Sequence, residues 1–217
     1  MIQKGEHTVD NSREPFFKLP YDVRQHSIRV GKAILIMSEY CDELKNSFGG
    51  SKKELDAAIT DAAKYHDIGK LLLSDEILCS TGPLSETDWT VMRLHPVYGE
   101  ELMLSIGEKN FPSKKHYELI LELVKNHHER YNGKGYPCGI KGGEIPVIAQ
   151  LGAVADVFDA LVSRRSYKNK VSINKASEII IAEEKEHFSP LAIECYKKSL
   201  PLLASIYSKK LTFDPKA

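Results

Sequence analysis

The sequence predicts an all-α protein, a single helical bundle of about seven or more helices. Three observations carry that prediction. Apolar residues recur at three- and four-residue steps through most of the chain, the period of a helix that buries one face. The β-branched runs Val147-Ile148 and Ile179-Ile180-Ile181 sit inside longer helical periods and do not alternate as a half-buried strand would. Helix start and stop residues punctuate the periodic segments.

In chain order, residues 1–21 are polar and proline-containing and read as a loosely packed arm. The domain spans 22–210, with a tail over 211–217. The first helix is expected from Asp22 to about Phe48, with Ile28, Ala33, Ile34, Ile36 and Met37 on its apolar side and Gly49-Gly50 ending it. Ser51 with Glu54 forms a capping box in which each side chain reaches the other's backbone amide. Leu55, Ala58, Ile59, Ala62 and Ala63 continue that helix, and Gly69 is its stop. Ser85, followed by Glu86 and Asp88 where a helix N-terminus favours negative charge, opens a short helix to Leu94. Pro96 suits a first turn and opens a helix ending near Gly107. Ser113 begins another, with Tyr117, Ile120, Leu121 and Val124 on one face. A glycine-rich loop covers Tyr131 to Glu144. Pro146 then starts a helix through Ala153, Asp156 and Leu161, and two more are expected over about Ile173–His187 and Pro190–Ser208.

Composition excludes several function classes. The 217 residues are 42% hydrophobic and 28% charged, with a formal net charge of zero. A globular core is therefore affordable, whereas the basic footprint of a polymeric nucleic-acid or anionic-membrane binder is missing. No apolar run is long enough to span a bilayer, and the N-terminus lacks an apolar signal core, so a cytoplasmic location is expected. Cys41, Cys79, Cys138 and Cys195 lie far apart without CxxC spacing and are expected to be free thiols.

Chemistry concentrates in a few polar residues placed where a bundle should be apolar. His66-Asp67 stands at a helix end, and a carboxylate can join two metal ions through its two oxygens while an imidazole binds one. His127-His128 ends another apolar helix, its two side chains about 100° apart. His26, His95 and Asp156 complete the set. Asp156 interrupts the run Val154-Ala155-Asp156-Val157-Phe158, where a carboxylate is costly unless paired, hydrogen-bonded or metal-bound. Asp159, one turn on, is a partner of that site or a ligand contact. Singly each feature has a plain structural reading: a satisfied polar pair, or histidines near a helix C-terminus. Jointly they supply ligands for two metal ions sharing Asp67, with coordination positions left for water and a phosphate ester.

The strings His26-Ser27-Ile28-Arg29-Val30, His66-Asp67-Ile68-Gly69-Lys70, His95-Pro96-Val97-Tyr98-Gly99, His127-His128-Glu129-Arg130-Tyr131-Asn132-Gly133-Lys134-Gly135-Tyr136-Pro137 and Ala155-Asp156-Val157-Phe158-Asp159-Ala160-Leu161 resemble the HD-GYP family of HD-domain phosphohydrolases, from about Asp22 to Pro190. The resemblance implies hydrolysis of cyclic di-GMP to linear pGpG or onward to GMP by a hydroxide bridging two metals. It implies one metal on His26, His66, Asp67 and Asp156 and a second on Asp67, His95, His127 and His128. The metals would be iron or manganese first, with zinc, magnesium, nickel or cobalt as alternatives. His66, Asp67 and Lys70 are the catalytic group on this reading. Lys70 would contact phosphate, Arg165 and Lys168 would grip phosphate or guanine, and Tyr136, Pro137 and Asp159 would border the substrate. The GYP loop can also face a regulatory protein partner. Alternatives are a phosphodiesterase for another cyclic dinucleotide and a non-catalytic metal-bound sensor or interaction module.

Departures from the family pattern spare all of these metal positions. Asp22, one turn before His26, stands where some members place a glutamate holding a third metal; the shorter aspartate weighs against a third ion here. Asn132, Gln150 and Ser189 stand where aspartate, arginine and aspartate are usual. The chain shows no receiver, PAS or GAF module, which suits either a stand-alone enzyme or an excised catalytic domain.

Overall fold

A computed structural model of the chain describes residues 14–80, 82–163 and 171–209. It is a helical bundle, with no strand among the described residues. The helices are α1 (Tyr21–Ser38), α2 (Asp42–Phe48), α3 (Lys52–Tyr65), α4 (Asp75–Leu78), α5 (Glu86–Met92), α6 (His95–Ile106), α7 (Lys114–Asn126), α8 (Val147–Val162), α9 (Ile173–Ala182) and α10 (Pro190–Lys209). The centre is formed by α1, α3, α7 and α8. α6 lies against α7, α9 against α8, and α10 across α1 and α8. Ile34, Met37, Ile59, Ile120, Leu123, Ile148 and Phe158 from these central helices are fully buried, each burial stabilising by about 1.5–3 kcal/mol.

The expected capping box forms, and a second one accompanies it. Ser51 Oγ accepts from the Glu54 amide while Glu54 accepts from the Ser51 amide, and Ser85 and Asp88 do the same at the start of α5. Ser113 caps α7 by accepting from the His116 amide. Ser189 caps α10 through the Ala192 amide. The segment expected as one helix from Asp22 to Phe48 is broken between Ser38 and Asp42. Here the Ser38 hydroxyl donates to the Leu35 carbonyl, a local bond that competes with helix continuation. The turn also buries Cys41 and Leu44 and brings the Tyr40 carbonyl within 3.3 Å of Cys195 Sγ on α10.

Two other expectations need correction. The arm is not loose from Glu14 onward: Pro15–Lys18 forms a 3-10 turn, and Phe16 and Leu19 join the core. Glu14 bonds the Lys64 ammonium and accepts from the Tyr65 hydroxyl at 2.6 Å. α9 stops at Ala182, short of His187, because the next residues turn back through Lys185 at φ 69°. That turn presents the Glu186 and His187 carbonyls to the amides of Asn132 and Tyr131. The cysteines are free, Cys41 and Cys195 buried and Cys79 and Cys138 exposed. No helix among the described residues is long and apolar enough to cross a membrane.

One close approach sets the geometry of the centre. Gly69, in a 3-10 turn over Ile68–Leu72, packs on the first turn of α6, where an added Cβ would lie 2.0 Å from the His95 carbonyl oxygen and 2.4 Å from the Gly99 nitrogen. Gly69→Ala is expected to cost about 3 kcal/mol or more, lowering the melting temperature by roughly 6–12 °C. Thermal denaturation followed by circular dichroism checks this.

Candidate metal centre

Five elements deliver the polar residues to one point. His26 comes from α1, His66 and Asp67 from the end of α3, His95 from the start of α6, His127 and His128 from the end of α7, and Asp156 from the middle of α8. Each of His26, His66, Asp67, His95 and His127 is buried. Three sets of donor atoms lie within 4.8 Å of one another and can hold a metal ion: His95, His127 and His128; His26, His66 and Asp156; and His66, Asp67 and His127.

Asp67 stands between the first two sets. Its Oδ1 lies 3.3 Å from His95 Nε2 and 3.9 Å from His127 Nε2. Its Oδ2 lies 3.4 Å from His66 Nε2 and 4.0 Å from His26 Nε2. One oxygen therefore faces each cluster, the disposition a carboxylate needs to join two cations. His26 Nε2 is also 2.9 Å from Asp156 Oδ1.

The imidazoles are oriented from behind by backbone carbonyls. His66 Nδ1 lies 2.7 Å from the Ala63 oxygen, His95 Nδ1 2.8 Å from the Met92 oxygen, and His127 Nδ1 3.0 Å from the Val124 oxygen. A carbonyl only accepts, so each Nδ1 carries the proton and each Nε2 presents a lone pair to the centre. His66 Nε2 is buried without a hydrogen-bond partner. His95 Nε2 and His127 Nε2 face each other at 3.1 Å. With both tautomers fixed, that contact is two lone pairs, which a cation between them would satisfy and a hydrogen bond would not. These donors fit divalent metal ions, and the orienting bonds are of the kind that ligating histidines use.

Electrostatics point the same way. Burial lowers His95 to about 3 and His128 to about 4, and holds His66 below its ordinary value and His127 well below it. All four are neutral imidazoles at pH 7. Burial alone would raise Asp67 and Asp156, but Lys70 and neighbouring histidines hold Asp67 well below the carboxylate range, and His26 does so for Asp156. Burial disfavours a charged His26 as well, yet Asp156 and Asp159 raise it to about 9.

These shifts set a stability profile for metal-free protein. Between pH 6.5 and about 4 the unfolded chain protonates His95 and His128 while the folded one does not, so stability falls as pH falls. The raised His26 contributes stability that is full below pH 6.5 and is lost as pH rises through about 9. Melting temperatures of metal-stripped protein are expected to peak near pH 6.5 and to decline toward both pH 4.5 and pH 9; a monotonic rise across that range would contradict the assignment of His26.

Asp159, expected as a partner of the site or at the border of the substrate, lies behind His26. It is fully buried and does not line the cavity in front of the cluster. Its Oδ2 is 2.7 Å from His26 Nδ1, and Arg29 donates to both of its oxygens at 2.6 and 2.8 Å. Ser163 and Tyr207 hydroxyls donate to Oδ1, each at 2.9 Å. Its oxygens are committed to the protein, so Asp159 holds His26 from behind the cavity and does not face into it. Asp22 is exposed on the first turn of α1 and belongs to none of the three donor sets.

The cavity has a volume of about 690 Å³ and is lined by His26, Asp67, Lys70, His95, His128 and Asp156 on its polar side. Lys70 Nζ donates to Asp67 Oδ2 at 2.6 Å. Tyr136 reaches the cavity while Pro137, its neighbour across a cis peptide bond, does not line it. Arg165 and Lys168 lie outside the described residues.

The Gly135-Tyr136-Pro137 loop is held against the ends of α7 and α5, and two residues that do this, Glu129 after α7 and Arg93 after α5, are not evident in the sequence alone. The Tyr136 amide donates to the His128 carbonyl at 3.2 Å. Buried Glu129 accepts from the Cys138 and Gly139 amides at 2.7 and 3.1 Å. Gly135 is required because a Cβ there would sit 2.3 Å from the Arg130 nitrogen. The Tyr136 ring then stacks on His128, centroids 4.7 Å apart at 24°, and the Arg93 guanidinium lies 5.6 Å from its centroid. Of the departures, Asn132 donates to Glu186 at 2.8 Å, a contact that aspartate would turn into repulsion, and Gln150 donates to the Ile145 carbonyl at 2.7 Å.

A family model for the HD domain matches residues 21–191. The chain belongs to the HD domain family, and its intact Gly135-Tyr136-Pro137 string is the feature that resembles the HD-GYP type. Among curated proteins it is 32% identical, over 85% of its own length and 34% of the relative's, to the 3'3'-cGAMP-specific phosphodiesterase 2 of Vibrio cholerae. It is 37% identical, over 62% of its length and 27% of the relative's, to a cyclic di-GMP phosphodiesterase of the same organism. The chain thus spans about a third of these relatives or less. Among solved structures it resembles Bd1817, an HDG"Y"P protein from Bdellovibrio bacteriovorus, with a TM-score of 0.58 and 16% identity over 82% of this chain and 52% of that one, a likeness of fold.

Proposed function

We propose that this chain is a metal-dependent phosphodiesterase that opens cyclic dinucleotides, with cyclic di-GMP as its leading substrate and pGpG or GMP as product. The observation that carries this reading is Asp67, buried, with one oxygen toward each of two imidazole clusters at the floor of a cavity. His26, His66, Asp67 and Asp156 would hold one ion, and Asp67, His95, His127 and His128 the other, iron or manganese first. Bound there, the ions would supply positive charge at the phosphoryl oxygens and make water acidic enough to attack phosphorus.

The chain's own groups then do the positioning. Neutral imidazoles and ionised carboxylates are the ligand forms needed at pH 7, so little proton displacement opposes loading except at His26. Lys70 sits against Asp67 with its ammonium at the cavity, where it can neutralise charge building on a non-bridging phosphate oxygen. Lys70→Ala is expected to keep both ions and to lower turnover about 100- to 1,000-fold. Metal analysis beside a rate assay checks this; loss of metal at normal substrate affinity would reassign Lys70 to the metal site.

A second reading, 3'3'-cGAMP as preferred substrate, is favoured by the relative of that name, which matches the larger share of this chain. Relative kcat/KM for cyclic di-GMP and 3'3'-cGAMP, measured with the same metal-loaded protein, ranks the two. A higher value for the mixed nucleotide would replace the leading substrate. Tight binding of either without turnover would support the sensor reading instead.

A further inference from the structure

The cavity has a second wall of different character. Leu78, Pro83, Leu84, Trp89 and Met92, all from the segment between the His66-Asp67 pair and His95, line it together with the polar residues of the cluster. Trp89 on α5 leaves 51% of its surface exposed, a large unpartnered indole at the edge of a polar site. A contiguous exposed apolar surface, unlike a lone exposed residue, marks a ligand-binding groove, and Trp89 shares this wall with Leu78, Pro83, Leu84 and Met92. Tyr136, which the family resemblance sets at the border of the substrate, already has its ring against His128 and under the Arg93 guanidinium.

We propose that Trp89 is the platform on which a purine base of the substrate stacks while the phosphate faces Asp67. This inference rests on the phosphodiesterase reading and adds to it a base subsite. A purine presents a flat π-face suited to an indole, and Pro83, Leu84 and Met92 complete an apolar slot around it. Besides the indole N–H, Ser80 has the one polar side chain among the described residues of this wall. The subsite therefore reads the face of the base, which guanine and adenine share, and tolerates either.

Trp89 is the single tryptophan of the chain, so indole emission reports on this position alone. The test titrates the metal-loaded full chain with a hydrolysis-resistant bisphosphorothioate analogue of cyclic di-GMP, reading calorimetric heat and emission together, with inorganic phosphate as a base-free probe. Emission is expected to change along the binding isotherm, phosphate is expected to leave it unaltered, and W89A is expected to bind the analogue about 5- to 150-fold more weakly. W89F, which keeps a π-face, should recover most of the affinity. Binding with unchanged emission and unchanged W89A affinity would overturn the subsite and leave the phosphodiesterase reading intact. An equal emission change with phosphate would also overturn it. Failure of the analogue to bind metal-loaded protein would overturn both.

Discussion

Asp67→Ala is expected to leave the purified protein without its pair of metal ions and to lower turnover about a thousandfold or more. The reason is geometric. Asp67 is 1% exposed, and its two oxygens address His95 and His127 on one side and His66 and His26 on the other. On the proposed assignment, removing it would delete a ligand from both sites and the negative charge between the two cations. Asp67→Asn keeps the shape without the charge and should lie between. Metal content by elemental analysis, alongside circular dichroism to confirm the fold, checks the expectation. Two ions retained per chain in Asp67→Ala would sink the shared-ligand assignment.

Asp159→Asn is expected to have the next largest effect, although the residue does not reach the cavity. Burial disfavours the charged carboxylate, but His26 and Arg29 hold its pKa well below the usual range. Loss of that charge should weaken metal binding at the His26 side about 10- to 100-fold, as for other groups that orient ligating histidines. It should also destabilise the fold by about 3–5 kcal/mol, the cost of breaking a buried ion pair, or roughly 10 °C in melting temperature. Competition with a chelator of known affinity measures the first and thermal denaturation the second. Unchanged metal affinity would remove Asp159 from the site and leave it a structural residue.

Asp159 also shows where sequence reasoning stops. It stands three residues after Asp156, so both seemed candidates for the same cavity. Which way it points depends on His26 and Arg29, more than 100 residues earlier in the chain, and no local pattern encodes that pairing. Arg29 follows His26 by three positions and shares its side of α1, a signal that could have raised it as a partner. Glu129 was similarly opaque, because its acceptors are needed only once the loop has folded back to offer the Cys138 and Gly139 amides.

The residues of the centre were legible for the opposite reason. His26, His66, Asp67, His95, His127, His128 and Asp156 are polar groups at positions where a bundle wants apolar ones, and burial forces such groups to find a partner. Helix starts were equally plain, since Ser51, Ser85 and Ser113 cap through contacts within three residues. The break after Ser38 was not, because it answers to α10, which lays Cys195 against Tyr40 across 155 residues. Nor was the packing of Phe16 and Leu19, in a mostly polar arm, visible without the surface that receives them.

On the proposed function, the cluster around Asp67 holds two metal ions, and these make the chain a cyclic dinucleotide phosphodiesterase. The most direct test loads the protein anaerobically with ferrous iron or manganese, withdraws metal stepwise with a chelator, and measures bound metal and cyclic di-GMP turnover on the same samples by elemental analysis and chromatography. Turnover that rises with occupancy, reaches its maximum at two ions per chain and disappears on full chelation is the predicted result. Turnover that survives complete removal of metal, or none for any cyclic dinucleotide with two ions bound, would contradict it.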